Sequence, residues 1–141
     1  MTGLWKLRAT PDDLNARSHG TLAEHLGIRF TGVEDDVLRA SMPVDHRTKQ
    51  PMGLLHGGAS AVLAETLGSV AATLCVNQQR QYCVGIAINA NHLRAVRDGF
   101  VHGAARPVHV GRTTQVWQID IKDDAGHAVT VSRLTLAVLD R

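Results

Sequence analysis

Aromatic side chains are scarce in this chain: two Trp, two Phe and one Tyr, or 4% of 141 residues. That leaves little material for stacking on nucleic-acid bases. The charge is equally unpromising for such a partner. Fifteen Lys and Arg against thirteen Asp and Glu give a net charge of +2, and the basic residues are scattered rather than gathered into a stripe. There are two cysteines, Cys75 and Cys83, each in an apolar segment. They are expected to be reduced, buried thiols of a cytoplasmic protein rather than a disulfide framework. The eight histidines form no His-Glu-x-x-His and no Cys-x-x-Cys is present, so neither a metal nor any other cofactor is expected. Gly57-Gly58 is not followed by the lysine of a phosphate-binding loop. Gly58-Ala-Ser-Ala-Val62 lacks the second glycine of a nucleophile elbow, which makes Ser60 a packing residue. Met1 to Thr10 carries no apolar run suited to a secretory signal.

What the chain does have is one long apolar segment, Gly57 to Gln79, holding a single charged side chain, Glu65. Its pattern reads as a helix over about residues 57–74, apolar nearly all round, as in a helix buried in a core. Gly68, Ser69, two threonines and Glu65 interrupt it, which argues against a membrane span. Burial would strip the Glu65 carboxylate of hydration, so a partner or a task is expected for it. Just upstream, Gln50-Pro-Met-Gly-Leu-Leu-His56-Gly-Gly58 delivers a histidine and two glycines to the helix start.

Around this segment the pattern changes period. Pro11 opens a short helix with Thr10 as N-cap, and Thr21 to Gly27 reads as a second turn of helix. Residues 37–42 alternate as a half-buried strand. Four strands are expected after the long helix, at residues 82–91, 100–108, 112–122 and 128–139, the last two forming a hairpin. In the third, Gln115, Trp117, Ile119 and Ile121 share one face and Thr114, Gln118, Asp120 and Lys122 the other. No repeat or low-complexity stretch interrupts residues 1–141, which read as one domain. One flat sheet face cannot cover so apolar a helix. The expected architecture is α+β, an antiparallel sheet curled around a central helix.

The segment Thr48 to Ser69, with Gln50, His56-Gly57-Gly58 and Glu65 at its heart, resembles the signature of the hotdog-fold acyl-CoA thioesterases. It is most similar to the branch that holds the 1,4-dihydroxy-2-naphthoyl-CoA thioesterase of menaquinone biosynthesis and the enterobactin proofreading thioesterase. Asn89-Ala-Asn-His-Leu-Arg94, Pro107-Val-His-Val-Gly-Arg112 and Val116-Trp-Gln-Ile match later blocks, so the resemblance covers nearly the whole chain. Ala87 departs from it, standing where a glutamate is expected in that branch, which bears on the acyl group more than on the reaction. The resemblance implies a homodimer with a continuous sheet, commonly paired into a tetramer.

Thioester hydrolysis needs a polarised carbonyl and an attacking oxygen. A helix beginning at Gly57 would present unpaired N–H groups at the positive end of its dipole, suited to an oxyanion. The resemblance implies this role for Gly57, with His56 and Gln50 orienting the thioester. Glu65 lies roughly 12 Å further along at 1.5 Å per residue, too far for both to touch one carbonyl. The spacing demands a bent chain or a second subunit, and the resemblance implies the second subunit. Glu65 would act as nucleophile or as general base on water, two routes the residues do not separate. Ser69, one turn on, would hold the carboxylate or the water, or else bond back to its own helix.

By resemblance, Gly85, His92, Arg94, His109, Gly111 and Arg112 line the path of the acyl group and the coenzyme A arm. Arg94 and Arg112 suit phosphates. The expected activity is hydrolysis of an aromatic, hydroxylated acyl-CoA. Alternatives are proofreading of a mis-acylated carrier protein and a non-catalytic acyl-CoA-binding module. Glu65 argues against the second.

Overall fold

The computed structural model describes residues 3–141; Met1 and Thr2, part of the segment read above as free of a secretory run, lie outside the described residues. Two short helices, α1 (Pro11–Arg17) and α2 (Leu22–His25), precede strands β1 (Arg29–Val33) and β2 (Leu38–Pro43). The long helix α3 (Gly57–Leu74) follows. Four strands complete the chain: β3 (Gln81–His92), β4 (Phe100–Val110), β5 (Thr114–Asp123) and β6 (Ala128–Asp140). The expected strands are all present; β3, β4 and β6 run one or two residues past their hydrophobic pattern because ladder hydrogen bonds continue beyond it, β2 is shifted by one residue and β5 begins two residues later than expected.

Every pairing is antiparallel, in the order β1-β2-β4-β5-β6-β3. β5 and β6 form the expected hairpin. β3, however, does not lie beside its sequence neighbour β4; it crosses to the far side of β6 and becomes an edge. The sheet wraps α3, which packs against β2, β3, β4, β5 and β6.

Periodicity explains the core. Along β5, Gln115, Trp117, Ile119 and Ile121 are all fully buried, and Leu134 and Leu136 extend the same layer from β6. They meet Leu63, Leu67 and Leu74 of α3, also fully buried. Gln115 is tolerated there because its amide is satisfied: it accepts from Trp117 Nε1 at 2.8 Å and donates to the Ala72 carbonyl at 3.4 Å. The helix comes this close because Gly68 carries no side chain; a Cβ there would stand 2.6 Å from Leu134.

Thr10 caps α1 as its sequence suggests, within a capping box that Asp13 completes. The N-terminal strap is pinned by Lys6 and Leu7, whose N–H groups donate to the Leu74 carbonyl at 2.8 and 3.2 Å. Trp5 stacks on Trp117 with ring centroids 5.9 Å apart. Cys75 and Cys83 are both free. Burial pushes the Cys75 thiol up to about 12, so it stays protonated and unreactive. Among the described residues, no helix is long and apolar enough to cross a membrane.

Candidate active site

The loop ahead of α3 delivers its residues by local hydrogen bonding. Thr48 is buried and its hydroxyl donates to the Pro43 carbonyl at 2.7 Å, while His56 N–H donates to Thr48 O at 2.8 Å. Between them Gln50 and Leu54 close a turn through Gln50 N–H to Leu54 O at 2.8 Å, with Gly53 at a positive φ of 80°. The Gln50 side-chain oxygen accepts from Met52 N–H, which leaves its amide nitrogen as a donor for another group.

His56 is the N-cap of α3, a role the sequence pattern did not disclose because histidine is not a favoured cap. Its Nδ1 accepts from Gly58 N–H at 2.7 Å, and its carbonyl accepts from Ala59 N–H at 3.0 Å. Two first-turn donors are thereby spent. The N–H of Gly57 has no acceptor among the described residues, and it sits at the positive end of an 18-residue helix. The imidazole of His92 stands over it: a Cβ on Gly57 would lie 2.8 Å from His92 Nε2. Gln50, Gly57, Ser60, His92 and Arg94 line one cleft of about 310 Å³.

Glu65 is elsewhere. The apolar run suggested burial, yet Glu65 is exposed in the chain and has no ion-pair partner among the described residues. The sheet covers one face of α3, whereas Ala61, Val62, Glu65, Thr66, Ser69, Val70 and Thr73 form a second face that is covered in part. The carboxylate leans on β3, and a Cβ on Gly85 would come within 2.6 Å of its Oε2. Glu65 and Ser69 open onto a groove of about 450 Å³. Its walls include Leu14, Leu22, Phe30 and Val70, residues no motif had marked. Leu14, Leu22 and Phe30 come from α1, α2 and β1, and tertiary packing alone brings them to Val70 of α3.

The chain thus separates what the motif joined. Gly57 with His92 lies at one end of β3 and Glu65 with Gly85 seven residues away, roughly 23 Å of strand. His109, Gly111 and Arg112 sit at the β4–β5 turn; Thr114, which begins β5, pairs with Ala137, itself opposite Val84. They therefore belong to the Glu65 end of the sheet and not to the His92–Arg94 end. A Cβ on Gly111 would collide with His109 Nε2, so that turn is tight. Ala87 follows the bulge in β3 and is exposed.

Comparison with known proteins agrees with this architecture. Residues 52–130 match the model of the thioesterase superfamily. A 1,4-dihydroxy-2-naphthoyl-CoA hydrolase from Escherichia coli is 53% identical over 96% of this chain and 99% of its own length. The proofreading thioesterase EntH of Cronobacter turicensis is 54% identical over 96% of this chain and 98% of its own. The crystal structure of a mutant thioesterase from Pseudomonas aeruginosa superposes with a TM-score of 0.96 at 51% identity, covering 98% of this chain and 99% of that one. The chain belongs to the thioesterase superfamily, folds as a hotdog and is a thioester hydrolase.

Proposed function

We propose that the protein hydrolyses a hydroxylated aromatic acyl-CoA thioester, and that two copies of the chain build each site. The observation that carries this reading is the groove that starts at Glu65. At about 450 Å³ it has the size of a small-molecule pocket. Leu14, Leu22, Phe30 and Val70 give it apolar walls for a ring, and Ser18, Thr21, Thr66, Ser69 and Thr73 add hydroxyls along it. Ser18, Thr21 and Thr73 donate their protons to carbonyls of their own helices and turns, so their oxygens remain acceptors for phenolic hydroxyls. A saturated long chain would leave those acceptors unpaired. The Escherichia coli relative, named for a dihydroxylated naphthoyl thioester, supports the same class.

The second copy follows from β3. Its twelve residues form an edge with Ile86 62% and Leu93, just beyond it, 59% exposed. Pairing of β3 with its own copy about a two-fold centred near Ile88 and Asn89 lays the Gly85 end of one strand against the His92 end of the other. Glu65 of one protomer then reaches the Gly57 helix start of its partner. In that arrangement the Gly57 N–H stabilises the oxyanion, His56 and Gln50 orient the thioester, and Glu65 delivers the attacking oxygen, its own or that of a water held with Ser69. Arg94 from one subunit and His109, Gly111 and Arg112 from the other flank the path of the coenzyme A phosphates.

The proofreading alternative differs in the thiol carrier, not in the chemistry, and the EntH relative keeps it in view. A free-thiol assay over aryl-CoA and long-chain acyl-CoA esters tests the reading, with Glu65→Gln beside wild type. Release of CoA from hydroxylated aryl esters, reduced at least 10²-fold in the variant with KM little changed, is expected. Undiminished turnover by Glu65→Gln would remove Glu65 from the chemistry; preference for long alkyl chains would remove the aryl assignment.

A further inference from the structure

His92 owes its position to a residue that no motif marks. Thr130 of β6 lies directly opposite it in the β3–β6 ladder and is completely buried. Among the described residues, the Thr130 hydroxyl has one hydrogen-bond partner, His92 Nδ1 at 3.3 Å. A buried hydroxyl must place its proton or bear the penalty of leaving it unpaired. Its surroundings supply no substitute: the next inward side chain on β6, Ser132, is also buried and its Oγ has no partner at all. The Thr130 proton therefore goes to Nδ1. In the opposite arrangement, with Nδ1 protonated, the hydroxyl would accept and its own hydrogen would point at nothing.

An imidazole that accepts at Nδ1 carries its proton on Nε2 when neutral. Nε2 is the atom that stands over Gly57, where a Cβ would approach it to 2.8 Å. We infer that Thr130 is a positioning residue: it holds His92 as the Nε2–H tautomer, so that a side-chain donor stands beside the free Gly57 N–H and faces the thioester oxygen. This rests on reading the Gly57 helix start as the oxyanion site. His56 arrives at the same tautomer by another route, since its Nδ1 accepts from Gly58 N–H. Both imidazoles at this helix start therefore present an Nε2–H. A strand threonine sets one and a helix backbone sets the other.

The test is a side-chain ¹H–¹⁵N spectrum of uniformly ¹⁵N-labelled protein at pH 8, for wild type, Thr130→Val and Thr130→Ser. In wild type and Thr130→Ser, His92 should show a hydrogen-bonded acceptor Nδ1 and a protonated Nε2. In Thr130→Val it should move to the tautomer mixture of a free imidazole. Turnover should fall with it, by about 10-fold in kcat with KM nearly unchanged and with rescue in Thr130→Ser, less than the 10²–10³ lost when an oxyanion donor is removed outright. A protonated Nδ1 on His92 in wild type overturns the proposal, and that spectrum needs no variant to fold. An unchanged His92 signature in Thr130→Val overturns it too, as does full kcat once the tautomer is lost. The spectrum reads the tautomer without any substrate, so failure of the thioesterase site and failure of this inference are told apart.

Discussion

The two edges of the sheet are built to opposite ends. β1 is five residues long, its register slips between Phe30 and Gly32, and α1 covers it. Asn15 of α1 clasps its backbone from both sides, donating to Phe30 O at 3.1 Å and accepting from Phe30 N–H at 2.7 Å. Those are the devices by which an edge is closed to other chains. β3 shares only the register slip, between Gly85 and Ala87. It runs twelve residues, holds no Asp, Glu, Lys, Arg or Pro, and leaves its outer row of backbone groups bare. A protein that takes such care over one edge leaves the other open for a reason. The two halves of the candidate site lie at the two ends of the open strand, so pairing there is how the site would be completed.

The comparison breaks first at β3. Ile86→Lys places a charge at the exposed bulge of the open edge. It should convert the protein to a monomer by sedimentation, keep its far-UV circular dichroism and lose turnover by about 10²-fold or more, because each helix start is parted from the partner's carboxylate. An active monomer would show that one chain suffices. The closed edge should answer differently. Asn15→Ala removes two backbone hydrogen bonds and should cost about 1–3 kcal/mol in urea unfolding, with association and kcat unchanged. If it altered the oligomeric state, the covered edge would be an interface as well.

The smallest effect concerns the hold of α1 on that edge. The Thr10 backbone N–H, and then its hydroxyl, hold the Asp13 carboxyl below its usual range. A group lowered in the folded state stabilises above its unfolded pKa and ceases to do so as pH falls through the folded value. The Tm advantage of wild type over Asp13→Asn should therefore be full at pH 6 and shrink below about pH 4, near the unfolded carboxylate pKa. A difference constant with pH would assign the capping contribution to geometry rather than charge.

The closed edge was more legible in the sequence than the open one. Thr10-Pro11 and Asp13 announced α1 by local chemistry, whereas nothing local says that β3 crosses beyond β6. That crossing depends on which strand best covers the far flank of α3, a comparison between distant segments. The same holds at the site. The motif from Gln50 to Glu65, read as a line, implied a buried Glu65. The structure leaves that carboxylate exposed beside Gly85 of the edge strand β3.

The sequence by itself determined the elements: a helix from Gly57, strands of period two around it, an apolar layer of Trp117, Ile119 and Ile121, and the chemical groups at the helix start. Those follow from periodicity and capping, which act within a few residues. Tertiary structure alone decided which donors stay free. Thr130 claims Nδ1 of His92 across the sheet and leaves its Nε2 free, and α1, α2 and β1 supply the groove beside Glu65. Each depends on residues far apart in the chain meeting where helices and sheet pack, and Thr130, fully buried, has one place to put its proton.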